Sequence, residues 1–325
     1  MSPPEKDIAP LAIVVNSMTP RDLGLATIQN IKSLTFFRLV VLASLFLLSH
    51  CASSSYIVVD STNQNSRVDY LVIHGTSENF AESLRLLTTD TPNPVSVHYL
   101  VPETNDHTYP IDKLRVYSLV PEHRRAWHAG RSYWAEESSL NNRSIGIEVV
   151  NEFKCGGSVA KPLSESPVRD VSCRFLPYSD AQVYLLITLI KDILARYPEL
   201  DPIDIVGHSD IAIMRKSDPG PLFPWKRLYK EGIGPWPDDD TVANYMHLFA
   251  ISRPAIRSVQ LALATLGYEI ELTGLVDPQT QFTVRAFQLH FRPSNYSGAL
   301  DIDTLARLWA LLEKYRSDEL AEMAL

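Results

Sequence analysis

Five short apolar runs set the terms on which this chain can fold: residues 70–74 (YLVIH), 95–101 (VSVHYLV), 114–120 (LRVYSLV), 144–150 (SIGIEVV) and 203–208 (IDIVGH). Each is rich in strand-forming residues and too short for a stable helix. Between the fourth and fifth lies SDAQVYLLITLIKDILARYP (179–198), where Val183, Leu186, Ile187, Ile190 and Leu194 recur at helical spacing. Ser179 and Gln182 read as a capping box that starts this helix, and Pro198 stops it. Apolar strands interleaved with helix predict an α/β domain over residues 67–247, a mixed central sheet flanked by helices.

From Arg253 the texture changes. RPAIRSVQLALATLGY, DPQTQFTVRAFQLHF and DIDTLARLWALLEKY read as amphipathic helices, the first closed by Gly267 and the second capped by Asp277 with Pro278 in its first turn. Asp277-x-x-Thr280 and Asp301-x-x-Thr304 repeat one helix start. A small C-terminal three-helix domain is expected over 248–316, with a tail at 317–325. The Pro/Gly/Asp-rich stretch 231–245 (EGIGPWPDDDTVANY) reads as the boundary segment.

The beginning of the chain differs in kind. Residues 39–48 are apolar and follow Arg21, Lys32 and Arg38, the layout of an export signal and too short to span a bilayer comfortably, so 1–50 is set apart from fold reasoning. The run ends Leu48-Ser49-His50-Cys51, which resembles a bacterial lipoprotein box with Cys51 as the lipidated residue. His50 stands where a small residue is usual, so cleavage by an ordinary signal peptidase is an alternative, as is a buried hairpin helix. Met18 offers an alternative start, and 51–66 reads as a polar tether. With Cys51 set aside, Cys155 and Cys173 lie within the insertion at 152–176 and flank its Pro/Ser/Gly-containing middle; in an exported chain they either bridge or remain two thiols. A formal net charge of −8, with Lys and Arg nowhere concentrated, excludes a nucleic-acid partner.

His74 ends one strand, His208 directly follows another, and Asp218 comes ten residues later. Brought together, they make a three-ligand metal site with a position open for water. Taken singly, each histidine reads more simply as a hydrogen-bonded structural residue. Glu148 shares a strand face with Gly146 and Val150, so in a covered sheet its carboxylate points into an apolar layer, at a cost of several kcal/mol without a charged partner. On an edge strand it would simply face solvent. Lys216, two places before Asp218, reads as a surface lysine or as a charge for the same site.

In chain order, VIHGT (72–76), SVHYLV (96–101), AWHAG (126–130), SIGIEV (144–149) and GHSDIA…RKSDPG…FPW (207–225) resemble the zinc-dependent N-acetylmuramoyl-L-alanine amidases, a family that includes the peptidoglycan recognition proteins. The resemblance implies zinc on His74, His208 and Asp218, with Glu148 and Lys216 as catalytic residues and Trp127 and His128 lining the substrate cleft. Relatives of eukaryotic type carry Tyr at the position of Glu148, so the bacterial anhydro-muropeptide branch fits best, within it the outer-membrane lipoprotein type. The helices of 254–315 resemble the peptidoglycan-binding tail of that type. The implied activity is hydrolysis of the amide between the lactyl group of N-acetylmuramic acid, anhydro forms included, and L-alanine of the stem peptide. Peptidoglycan and muropeptides are the expected partners. The protein would be a monomer, lipid-anchored on the periplasmic face of the outer membrane or else soluble in the periplasm, touching the membrane through lipid alone. Its tail would hold the enzyme to the wall without joining the chemistry. The competing reading is a non-catalytic peptidoglycan-recognition protein; loss of a zinc ligand would mark it, and all three positions are filled.

Overall fold

Strand and helix alternate from Tyr70 onward. Strand β1 (Tyr70–Gly75), helix α1 (Phe80–Thr88), strands β2 (Tyr99–Val101) and β3 (Tyr117–Ser118), the hairpin β4 (Tyr133–Trp134) and β5 (Glu137–Ser138), and strand β6 (Ser144–Val149) come first. A second hairpin, β7 (Lys154–Gly156) and β8 (Ser172–Arg174), leads to helix α2 (Asp180–Arg196), strand β9 (Ile205–Gly207) and the short helices α3 (His208–Ile211) and α4 (Trp225–Lys230). The computed structural model describes residues 57, 59, 61–156 and 172–323. The segment 1–50 expected as an export signal, Cys51 and residues 157–171 of the insertion lie outside the described residues. Residues 65–325 make one compact unit. Among the described residues, no helix is long and apolar enough to cross a membrane.

The main sheet runs β3-β2-β6-β1-β9. β1 pairs in parallel with β6 and β9, β2 pairs in parallel with β6, and β3 is the antiparallel edge. Parallel neighbours need a crossover, and α2 supplies the one from β6, past β1, to β9. In register, Tyr70 faces Ser144, Val72 faces Gly146 and His74 faces Glu148, so these six positions share one face of the sheet. Leu71, Ile73, Ile145 and Ile147 take the other and enter one core with Leu186, Ile190 and Ile193 of α2. Residues 95–97, 114–116 and 120, read as strand from sequence, lie outside the strands, while His98 and Leu119 keep ladder bonds, with His98 N donating to Gly146 O at 3.2 Å and Leu119 N to His98 O at 2.9 Å.

The expected capping box closes on one side only. Ser179 Oγ accepts from Gln182 N at 3.4 Å, but the Gln182 amide is buried and donates to Val150 O at 2.8 Å and Val101 O at 3.5 Å. Carbonyls at the ends of β2 and β6 need donors once they are covered, and that need outweighs the local cap.

Helices α5 (Asp239–Ile251), α6 (Ile256–Leu266), α7 (Pro278–Phe291), α8 (Ile302–Tyr315) and α9 (Ser317–Met323) complete the chain. The stretch expected as a linker runs into α5, because Asp238, Asp239 and Asp240 stand at a helix N-terminus, where negative charge is favoured. α5 packs along α8, with Val242 against Ala306 and Ala310. The expected boundary at 247–248 therefore falls inside a helix, and α9 occupies most of the expected tail. Gly267 closes α6 at φ +130°, and a Cβ there would meet the Trp134 indole of the β4–β5 hairpin at 2.6 Å. Trp134 and Trp225 share one core with Tyr268, Phe287 and Phe291, so sheet and helical region are packed as a single body.

The two repeated helix starts are part of a longer repeat. Asp277 and Asp301 each accept from the threonine N three residues on, at 2.9 Å. Buried Gln260 donates to Thr280 Oγ1 at 2.9 Å and Leu275 O at 3.0 Å, and accepts from Gly274 N at 2.7 Å. Buried Gln288 does the same with Thr304 Oγ1 at 2.9 Å, Ala299 O at 2.9 Å and Gly298 N at 2.8 Å.

Gly146 leaves the space on the β1/β6 face into which a histidine ring packs: a Cβ at this position would lie 2.5 Å from Cγ of His128. That ring is buried and cannot withdraw. Gly146→Ala is expected to destabilise the protein by about 1–3 kcal/mol, the usual range for an overpacked core, seen as a lower urea midpoint with an unchanged slope.

Candidate metal centre and active site

The side chains with chemistry gather at the C-terminal edge of the parallel strands, the edge at which open α/β sheets bind ligands. His74 stands near the end of β1, Glu148 is its register partner on β6, and His208 begins α3 directly after β9. Asp218 returns on the following loop, which is tied back by Ser209 N donating to Asp218 O at 2.8 Å. Its carboxylate accepts weakly from Gly75 N at 3.4 Å. His74 Nδ1 lies 2.9 Å from His208 Nδ1 and 3.7 Å from Asp218 Oδ2, and His208 Nδ1 lies 3.0 Å from that same oxygen. All three residues are buried, with their ligand atoms within 4.8 Å of one another.

A chain of hydrogen bonds fixes which ring nitrogens carry protons. Ser144 Oγ donates to Leu140 O at 2.6 Å, so it can only accept from His128 Nε2, 3.0 Å away. Neutral His128 then accepts at Nδ1 from His74 Nε2, at 2.9 Å. On the other side His208 Nε2 lies 3.4 Å from Ala129 O, and with the ring proton placed there Nδ1 is bare as well. Both histidines are left with a bare Nδ1 lone pair pointing at the other and at a carboxylate. Three acceptors converging without a donor in a buried space repel one another unless a cation lies among them, so the residues present fit a bound metal ion.

Burial, reinforced by the His208 charge, pushes His74 down to about 4, and burial lowers His208 against the pull of Asp218. Burial would raise Asp218, but His208, His74 and Lys216 together hold it well below the ordinary carboxylate range. Burial first, then the Asp218 charge, pushes Glu148 up to about 8 while Lys216 opposes the rise. Glu148 Oε2 is buried and has no hydrogen-bond partner among the described residues. The Lys216 charge is felt at all four of these groups.

The residues expected in the cleft fare differently. His128 points inward with both ring nitrogens engaged, behind His74 and not on an open face. Trp127 is 48% exposed and lines a groove of about 430 Å³ with Leu87, Val95, Arg124 and Arg125, a groove that none of His74, Glu148, His208, Lys216 and Asp218 enters. Cys155 and Cys173 are register partners across β7 and β8, with Sγ atoms 2.01 Å apart. Tyr178, not singled out from the sequence, donates to Pro219 O at 2.9 Å, and burial, Asp218 and Glu148 raise its pKa well above the ordinary value. Ser144 and Asp210 were also passed over; Asp210 lies in the same GHSD run as His208.

Known proteins align with this architecture. The N-acetylmuramoyl-L-alanine amidase family matches residues 64–221, and a putative peptidoglycan binding domain matches 252–308. The N-acetylmuramoyl-L-alanine amidase AmiD of Escherichia coli (strain K12) is 40% identical over 294 residues, covering 87% of this chain and 99% of that protein. The crystal structure of AmpDh3 from Pseudomonas aeruginosa superposes with a TM-score of 0.71 at 42% identity, over 81% of this chain and 98% of that one. AmiD from E. coli, in complex with anhydro-N-acetylmuramic acid-L-Ala-D-gamma-Glu-L-Lys, gives 0.65 at 38% identity, over 81% of this chain and 96% of that one. Sheet, strand-end cluster and helical region thus all fall within an alignment that leaves almost none of AmiD uncovered, and the chain belongs to the N-acetylmuramoyl-L-alanine amidases, hydrolases that cleave the stem peptide from peptidoglycan.

Proposed function

We propose that this amidase works with zinc held by His74, His208 and Asp218, with Glu148 as proton shuttle and Lys216 as the charge that steadies the developing oxyanion. The observation that carries this reading is the convergence of two bare Nδ1 atoms and one carboxylate in a buried space. Zinc bound there supplies a Lewis acid that lowers the pKa of water and polarises a carbonyl. Glu148, in register beside His74, takes the proton of the attacking water and delivers it to the departing alanine nitrogen. Burial and the Asp218 charge raise Glu148 in the metal-free site; a zinc cation bound beside it would favour the carboxylate form, which is the form a general base needs. Lys216 offsets the negative charge that grows on the carbonyl oxygen. His128 and Ser144 keep His74 in the tautomer that binds metal.

Anhydromuramyl peptides are the favoured substrates, supported by solved relatives that hold an anhydromuramic pentapeptide and an anhydromuramyl tripeptide. The lipobox-like run before Cys51 supports anchoring by lipid to the periplasmic face of the outer membrane, and the peptidoglycan-binding match supports residues 248–316 as the part that holds the protein to the wall. The Cys155–Cys173 bridge suits the oxidising periplasm.

Glu148→Gln should keep one zinc per chain and lower kcat on soluble muropeptides by about 10²-fold or more, with products read by mass spectrometry. Near-normal turnover would remove Glu148 from the mechanism. The same residue makes a stability prediction. An acid whose folded pKa is raised contributes stability that is complete below its ordinary value of 4.5 and lost as pH rises through about 8. In chelator-treated protein, Glu148→Gln should therefore melt higher than wild type at about pH 8 and no higher at about pH 4. His128→Phe fills the same space without a ring nitrogen, and should weaken zinc binding by about 10–100-fold in competition with a chelator.

A further inference from the structure

Asp210 lies two residues beyond His208 and is fully buried, yet its carboxylate serves no step of the reaction. Oδ2 accepts from Gly207 N at 2.7 Å and so closes the first turn of α3, the turn that carries His208. The other donors come from the helical region. Tyr268, just past α6, donates its hydroxyl to Oδ1 at 2.7 Å, and His290 of α7 donates from Nδ1 to Oδ2 at 2.8 Å. Both donors are buried, and the His290 ring is stacked between Trp225 at 3.8 Å and Phe291 at 3.9 Å. At the far end of the ligand loop, Arg285 of α7 donates from Nη1 to Ser217 Oγ at 3.1 Å, beside Asp218. The helical region therefore grips the 208–218 segment at both ends.

Packing alone does not call for this arrangement. The repeated turns at Gln260 and Gln288 complete their own hydrogen bonds within the helical region, and its surroundings at the junction are apolar. A buried carboxylate, phenol and imidazole are demanding to satisfy, and their use is to hold one geometry where an apolar contact would allow several. We propose that Tyr268 and His290, in the region matched as a putative peptidoglycan binding domain, are positioning residues for the amidase reaction: they orient Asp210 and, through the first turn of α3, the metal ligand His208. The proposal rests on the zinc reading given above and assigns the helical region a part in building the active site.

The test is zinc affinity of the full chain, measured by competition with a fluorescent chelator using zinc alone as probe, alongside the thermal midpoint of the metal-free protein. Tyr268→Phe removes one hydroxyl, and His290→Phe removes Nδ1 while keeping a ring between Trp225 and Phe291. Each should weaken zinc binding by about tenfold, the lower end of the range for groups behind a ligand, and the double variant by more. His290→Asn restores a donor near the Nδ1 position and should recover most of the affinity. Gln288→Leu, which breaks a turn inside the helical region without touching Asp210, should lower the metal-free midpoint and leave zinc affinity within about twofold. Unchanged affinity in both Phe variants, or an equal loss in Gln288→Leu, overturns the proposal. A wild-type protein that takes up no zinc overturns the zinc reading and this proposal together, whereas zinc-binding wild type with indifferent Phe variants overturns this proposal only.

Discussion

Two imidazole lone pairs and a carboxylate face one another in the interior with no donor to share, and much of the architecture consists of what keeps them so. Each ring must be held from behind by a group that takes its only proton, and for His74 that group is His128, itself held by Ser144. The arrangement works only if Ser144, Gly146 and His74 lie on one sheet face, which the parallel register of β1 and β6 provides. A slip of one residue between these strands would carry His74 and Glu148 to opposite faces. Register, a missing side chain at position 146 and the tautomer of the His74 ring are thus one constraint.

Much of this was legible in the sequence, for identifiable reasons. β1, β6 and β9 are short apolar runs, and the first and last lead directly into their histidines. Helix starts at Ser179, Asp277 and Asp301 were legible because the cap and its partner lie three residues apart. The ligand set came from a motif resemblance, and the strand ends bring it together. What could not be read depends on residues distant in the chain. The motif places His128 near the site but does not say which way its ring turns; that is decided by the space above Gly146 on another strand. Gln182 leaves its local cap for carbonyls on β2 and after β6. The acidic run at 238–240 signals a turn until α8 offers α5 a surface to pack on.

Glu148 carries a cost in stability that its proposed role as proton shuttle would explain. A carboxyl whose buried Oε2 has no partner among the described residues, beside Asp218, is a poor choice for the folded state, and burial and the Asp218 charge raise its pKa accordingly. The protein accommodates it because the opposite face of the same strand, Ile145 and Ile147, is wholly buried in the core beneath α2. Strain at the catalytic edge is carried by a sheet that is elsewhere closely packed.

The repeated turns of the helical region bear on how such a chain can change over generations. In each, one buried glutamine reaches forward to a glycine N–H, a carbonyl and a threonine hydroxyl, and α7 takes part in both turns. The segment between Gln288 and Gly298 is four residues shorter than that between Gln260 and Gly274, yet the bonds at the turn are the same. Loop length thus differs between the two copies while these three bonds recur in both, and a few added loop residues cost little closure entropy. Insertions there can reshape the outer surface of the region, and with it whatever the surface meets, without disturbing the helix that reaches inward to Asp210.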